Sequence, residues 1–220
     1  MNQMEIVTKL HKKTKRDYIG RMNDEKVKCM RISRKYDGEY WDGDRRFGYG
    51  GYKFIDGYWK PVAEDLIDHY HLTNSSKILD VGCGKAFLLY EIKQLLPDCE
   101  IVGFDFSKYA IDNAKPEIQK YLSVGKAQDD YHFRDNEFDL VISINTLHNL
   151  LLPDLDRALR EIERVGKEKF IVVESYRNRQ ELFNLQCWVL TGEQFLTPDE
   201  WRWVFETSSY TGDYELIYFE

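Results

Sequence analysis

From Pro61 onward, short apolar runs alternate with stretches whose apolar residues recur at helical spacing. The pattern predicts a helix over 61–71, opened by Pro61 in its first turn, and then a strand over Lys77–Val81. A helix over Lys85–Leu96 stops at Pro97, and a second strand follows over Glu100–Phe104. Further on come a helix over Ser107–Ala114 that Pro116 ends or restarts, and short strands over Tyr121–Val124 and Phe138–Ile144. A helix over Asp154–Val165 and a strand over Lys169–Glu174 continue the alternation. Thr197-Pro198-Asp199-Glu200 reads as a helix start, with a cap, Pro at the first position and acids in the first turn. A last strand covers Tyr214–Phe219. Strand alternating with helix implies βαβ units, hence an α/β fold with a mostly parallel sheet.

The first sixty residues read differently. Residues 4–22 carry a weak helical stripe of Ile6, Val7, Leu10, Tyr18, Ile19 and Met22. The stretch Trp41–Trp59 follows no period, yet holds five glycines and seven aromatics in nineteen residues. Dense glycine permits unusual backbone paths, and aromatics supply flat contact surface. Residues 1–60 are therefore expected to form a helix and a Gly/aromatic lid, with 61–220 as the main domain of one structural unit. There are no internal repeats and no low-complexity linker.

Composition changes the picture only in part. The 220 residues are 43% hydrophobic and 31% charged, ordinary for a globular chain, and the net charge is −7. That charge is uneven: residues 1–35 hold eleven Lys/Arg against four Asp/Glu. A basic arm on an acidic body either docks on its own domain or meets an anionic partner, and docking or solvation is the expectation. The acidic body argues against general nucleic-acid affinity. No apolar run approaches the roughly 20 residues of a membrane span, and the first twenty residues lack a signal core, so a cytoplasmic location is expected. Cys29, Cys83, Cys99 and Cys187 form no CxxC pair and read as free thiols, with no metal site.

The candidate chemistry lies in Ile78-Leu-Asp80-Val-Gly82-Cys83-Gly84-Lys-Ala86, a buried strand running through a Gly-x-Gly turn into a helix. In open α/β sheets ligands sit beyond such a turn. A dinucleotide site needs a small residue at the sixth position, where this chain has Phe87. Asp80, two residues before the first glycine, would also repel a pyrophosphate, whereas it attracts the ammonium and sulfonium of S-adenosylmethionine. Asp105 closes the second strand twenty-five residues after Asp80, where acids commonly bind ribose hydroxyls, and Phe106 beside it suits an adenine ring.

These residues, together with Phe138–His148, resemble class I S-adenosylmethionine-dependent methyltransferases of the small-molecule type, over roughly residues 60–175. The resemblance implies a Rossmann-like three-layer αβα sandwich carrying the N-terminal helical and Gly/aromatic lid extension. It implies that Asp80, Gly82, Cys83 and Gly84 hold the methionine moiety of S-adenosylmethionine, and Asp105 the ribose. Within Gly125–Gln128, Ala127 and Gln128 would flank adenine, and Asn145–Leu147 would lie beside the methyl donor. Two departures stand out: Ala86 replaces a frequent third loop glycine, and the family's antiparallel final strand pair is incomplete. A sugar or surface-polysaccharide precursor suits the resemblance as acceptor, although no residue selects it.

The remaining candidates follow from position. His148, after the fourth strand, is a candidate general base, with a structural histidine as the alternative. Glu174 and Tyr176, at the tip of the fifth strand, are candidates to orient the acceptor or to be simple loop polarity. In the lid, Trp41, Tyr49 and Tyr52 are candidate acceptor contacts that would exclude water. Arg45, Arg46 and Lys53 suggest an anionic group on the acceptor; the alternative is a packed cover with surface charges. Rival readings are a nicotinamide-dependent oxidoreductase, which Phe87 and Asp80 oppose, and a nucleic-acid methyltransferase. Against the latter, Ser143-Ile-Asn-Thr146 stands where an amino-methylating (N/D)PP(Y/F) motif would be.

Overall fold

In the computed structural model, residues 1–49 and 52–220 are described. Six strands, β1 (Lys77–Val81), β2 (Glu100–Asp105), β3 (Leu122–Val124), β4 (Phe138–Ile144), β5 (Gly166–Glu174) and β6 (Asp213–Ile217), form one sheet in the order β3-β2-β1-β4-β5-β6. Every pairing is parallel. A parallel sheet is covered on both faces, so its strands are apolar throughout and alternate residues serve opposite cores. Ile78, Leu140, Ile142, Phe170 and Val172 join one core, and Leu79, Val81, Val141, Ile171 and Val173 the other.

The first core is closed by α5 (Lys60–His69), α6 (Phe87–Leu95) and α10 (Arg179–Trp188), the second by α9 (Leu152–Val165) and α11 (Pro198–Thr207). The cap expected at Thr197 forms, and as a full capping box: its side chain accepts from the Glu200 N–H while the Glu200 carboxylate accepts from the Thr197 N–H. The helix expected over 107–114 forms as α7 (Lys108–Asp112), and Pro116 restarts the chain as α8 (Pro116–Gln119).

The N-terminus corrects the expected single helix over 4–22. It is three pieces, α1 (Thr8–His11), α2 (Tyr18–Asn23) and α3 (Lys26–Ser33). The Asp17 side chain caps α2 by accepting from the Gly20 N–H, which favours a fresh start there over continuation. Tertiary contacts then override the weak stripe. Asn2 and Met4 exchange backbone hydrogen bonds with Tyr214, so the arm lies along the outer edge of β6. Covering that edge removes an unpaired strand edge.

Two of the arm's basic residues, Arg21 and Lys26, dock on the chain's own carbonyls. Lys26 Nζ donates to Cys187 O (2.7 Å) and Val189 O (2.5 Å), at the carboxyl end of α10 where helix carbonyls lack partners. Arg21 donates to Trp188 O, Arg45 O and Gly48 O, tying α2 to both α10 and the lid. The lid opens with α4 (Gly38–Trp41). Of the glycines in this stretch, Gly50 and Gly51 lie outside the described residues. No described helix is long and apolar enough to cross a membrane.

Candidate functional site

The carboxyl ends of β1, β2, β4 and β5 meet at one edge of the sheet, over the point where strand order reverses between β1 and β4. Open α/β sheets bind ligands there, because neighbouring crossovers diverge to opposite faces and leave a crevice. Here the crevice is a cavity of about 580 Å³ that runs from the β1 turn to the N-terminal arm.

At one end stand Asp80, Gly82, Cys83, Gly84, Asp105, Phe106, Gly125, Ala127, Gln128 and Asn145, all lining the cavity. The turn after β1 needs its glycines. Gly82 has φ +75°, and a Cβ on it would fall 2.3 Å from Thr146 Cγ2. Gly84 has φ +55°, and its Cβ would fall 2.9 Å from the Trp41 ring. Ala86 stands in the left-handed region too, at φ +56°, so the glycine frequent at this position is replaced at a cost of roughly 1 kcal/mol. We expect Gly82→Ala to lower stability by about 2–3 kcal/mol in a denaturant melt, combining backbone strain and overpacking. Adding Thr146→Ala should recover the steric share and leave the backbone share.

Two carboxylates shape this end, and they differ. Asp105 accepts from the Gly84 N–H through Oδ2 (2.9 Å) and from the Ser107 N–H through Oδ1 (2.8 Å), so it clamps the turn and keeps further lone pairs for a ligand. Burial raises its pKa, and the two N–H bonds pull it back. Asp80 is only 4% exposed and its Oδ1 has no hydrogen-bond partner. Burial, with the Asp105 charge behind it, pushes its carboxyl up to about 8. A buried acceptor with no partner beside a second carboxylate is unfavourable without a ligand, and a cation relieves it. Cys83 stays a thiol, because burial and the same two carboxylates push it up.

Residues of the Gly/aromatic stretch pack over this end. The Trp41 ring lies on Gly84, and its Nε1 donates to Tyr36 O (3.0 Å) and Ser107 Oγ (2.9 Å). Tyr36 packs edge-on against Phe106, with ring centroids 4.7 Å apart. Tyr52 donates its hydroxyl to Tyr40 Oη (2.6 Å), and Tyr49 Oη accepts from the Leu190 and Thr191 N–H groups. Trp41, Tyr49 and Tyr52 all line the cavity.

At the other end, His148 and Glu174 line the cavity with Arg16, Tyr58, Trp59 and Trp188. His148 Nδ1 accepts from the Glu174 N–H (3.3 Å), so its hydrogen sits on Nε2, 3.5 Å from Glu174 Oε2. Burial pushes His148 down to about 3, so it is neutral at physiological pH and weakly basic. Burial pushes the Glu174 carboxyl up to about 8, with Arg16 pulling the other way.

Four sequence candidates are placed elsewhere, Lys53 among them, exposed and off the cavity wall. Tyr176 packs partly buried against the first core, off the cavity wall. Arg46 pairs with Asp24 (2.6 Å) and Glu25 (2.9 Å), which hold it outward. Arg45 is exposed, its guanidinium 5.9 Å from the Trp188 ring. The cation on the cavity wall at this end is Arg16, which the sequence reading did not single out: it sits in a run of Lys12, Lys13 and Lys15 that looks like solvated charge.

The parallel sheet and the cavity at its strand-order reversal define a Rossmann-like fold with a ligand-sized crevice at the switch point. A family model described as a methyltransferase domain matches residues 72–208, and the chain belongs to that family, the S-adenosylmethionine-dependent methyltransferases. The demethylmenaquinone methyltransferase of Roseiflexus castenholzii is 33% identical over 117 residues, covering 51% of this chain and 48% of that protein. The mitochondrial arginine-hydroxylase NDUFAF5 of Mus musculus is 29% identical over 113 residues, covering 50% and 31%. The matched stretch thus spans half or less of these relatives. The solved structure of the YcgJ protein from Bacillus subtilis superposes with a TM-score of 0.54 over 66% of each chain, at 20% identity, and shows the shared fold.

Proposed function

We propose that the chain transfers the methyl group of S-adenosylmethionine to an oxygen or nitrogen atom of a small polar or anionic acceptor. The observation that carries this reading is the unpartnered, buried Asp80 carboxylate set over the Gly82–Gly84 turn. The residues present fit the cofactor: Asp80 would take the positive methionine end, Asp105 the ribose, and Phe106, Ala127 and Gln128 the base. Bound there, the sulfonium supplies an electrophilic methyl carbon.

The protein's share of the chemistry is positioning and exclusion of water. Trp41, Tyr49 and Tyr52 close the cavity, and well-aligned displacement reaches effective molarities on the order of 10⁵ M or more. Residues 1–60 serve as the cover in this reading, with Asn145 and the His148–Glu174 pair beside the reacting atoms. His148, neutral and bonded to the Glu174 backbone, acts by holding that strand tip and carboxylate in place. One support for an anionic acceptor remains after Arg45 and Arg46 are set aside: the Arg16 guanidinium on the cavity wall.

A thermal-shift comparison tests the assignment. S-adenosylhomocysteine at 100 times its Kd should stabilise the protein by about 2.7 kcal/mol, and NAD should leave it unmoved. Stabilisation by NAD without S-adenosylhomocysteine would overturn the reading.

A further inference from the structure

We infer that the acceptor is a small molecule bearing both an amine and an anionic group, the anion held by Arg16 and the amine by Glu174. This rests on the methyltransferase reading and adds the acceptor's chemical class. Both side chains line the cavity's far end, and each is charged or chargeable without a matching partner. Arg16 spends Nη1 on the carbonyls of His11 (3.3 Å) and Thr14 (3.0 Å) and sets Nη2 3.0 Å from His11 Nδ1. Its Nε has no partner, and among the described residues no carboxylate lies within ion-pairing distance. The Trp188 and Phe219 rings lie 5.4 and 5.2 Å from its guanidinium, within cation–π range.

Glu174 mirrors this. Its carboxylate accepts no hydrogen bond from the described residues, and the imidazole beside it, His148 at 3.5 Å, is neutral. Arg16 is the charge that stabilises its ionised form, so the two groups feel each other's fields without touching. A cation and a carboxylate that share a wall yet stay unpaired are costly alone, and one ligand carrying the opposite pair of charges satisfies both. A dianion would leave Glu174 unmet, and a simple amine would leave Arg16 unmet. The aromatic wall of Tyr49, Tyr52, Tyr58 and Trp59 suits an ammonium or its methylated product.

The chemistry balances. Glu174 takes a proton from the acceptor's ammonium, which frees the nitrogen lone pair. That pair forms the N–C bond to the methyl carbon while the C–S pair returns to sulfur, leaving a neutral thioether and a protonated Glu174. The proton passes to water as product leaves. A carboxyl held near 8 by burial is better matched to an ammonium than an ordinary glutamate.

The test titrates the S-adenosylhomocysteine complex by calorimetry with linear ω-amino acids of two to six carbons and 2-aminoethylphosphonate. Matched amides, which lack the anion, and matched hydroxy acids, which lack the amine, serve as controls. Labelled methyl transfer is read in parallel with S-adenosylmethionine. At least one amino acid or the phosphonate should saturate the site and accept label, with its amide and hydroxy counterparts about tenfold weaker or more. Arg16→Gln should erase the preference over the amide, Arg16→Lys should keep it, and Glu174→Gln should erase the preference over the hydroxy acid. Controls that bind as well as the amino acids, or a panel in which nothing binds the loaded protein, would overturn the inference. Failure of S-adenosylhomocysteine itself to bind would instead overturn the underlying function.

Discussion

Asp80→Asn is expected to weaken S-adenosylmethionine binding roughly 10–150-fold while making the ligand-free protein more stable. The affinity loss follows from removing a charge-assisted contact in a dry site, about 1.5–3 kcal/mol. The stability gain follows from the same burial. A carboxyl raised to about 8 prefers its protonated form in the folded state, whereas the unfolded chain ionises it near 4. Its contribution to folding is therefore whole below about pH 4 and lost as pH rises through 8. The variant should match wild type in a melt at pH 4 and exceed it at pH 8, each kcal/mol being worth roughly 2–4 °C. Binding has the opposite sign. The ionised form holds the cation, so wild-type affinity should fall about tenfold for each unit below pH 8, and the asparagine variant should lose this slope. A structural strand-end cap would give the reverse outcome, with stability lost and affinity kept.

How much of this was written in the sequence depends on whether local pattern or long-range contact decides each element. β1 and β4 fall on the expected residues because a strand buried on both faces is a contiguous apolar run between polar stops. The Gly82–Gly84 turn was legible because its constraint is local: backbone sign and the absence of Cβ show in residue type. Asp80 was legible because charge sign at a strand tip needs no partner to be interpreted. Arg16 was not, since only the route of the arm along β6 separates it from its lysine neighbours. The helix α10 went unread because Asn184 and Gln186 break its apolar stripe, although Asn178 capping the Glu181 N–H was an available start signal. Arg45 and Arg46 misled for the same reason that Arg16 hid. Two acids brought close by folding, Asp24 and Glu25, hold Arg46 out of the cavity.

Glu215→Ala should detach the arm that carries Arg16 and leave the cofactor end intact. Glu215 is fully buried, and its carboxylate accepts from the N–H groups of Ile6 (2.8 Å), Val7 (2.8 Å) and Thr8 (2.5 Å). Those donors open α1, whose first turn has no partners of its own, and the carboxylate supplies all three at once. Alanine leaves the Ile6 and Val7 N–H groups buried and unmet at about 1–3 kcal/mol each, unless residues 1–16 peel away from β6. Peeling frees the backbone around Lys12, Lys13, Lys15 and Arg16, whose lysine side chains are exposed even in the docked arm, so trypsin should clip the variant at these sites well before it attacks the wild type. The turn after β1 touches none of this, and S-adenosylhomocysteine should bind the variant as it binds the parent. The acceptor should lose its anion contact, which would show as a raised KM with the cofactor Kd unmoved. A variant that resists trypsin as the parent does would mean the arm is held by its other contacts, such as Lys26 and Arg21 on α10. Glu215 would then be a buried acceptor with no part in building the cavity.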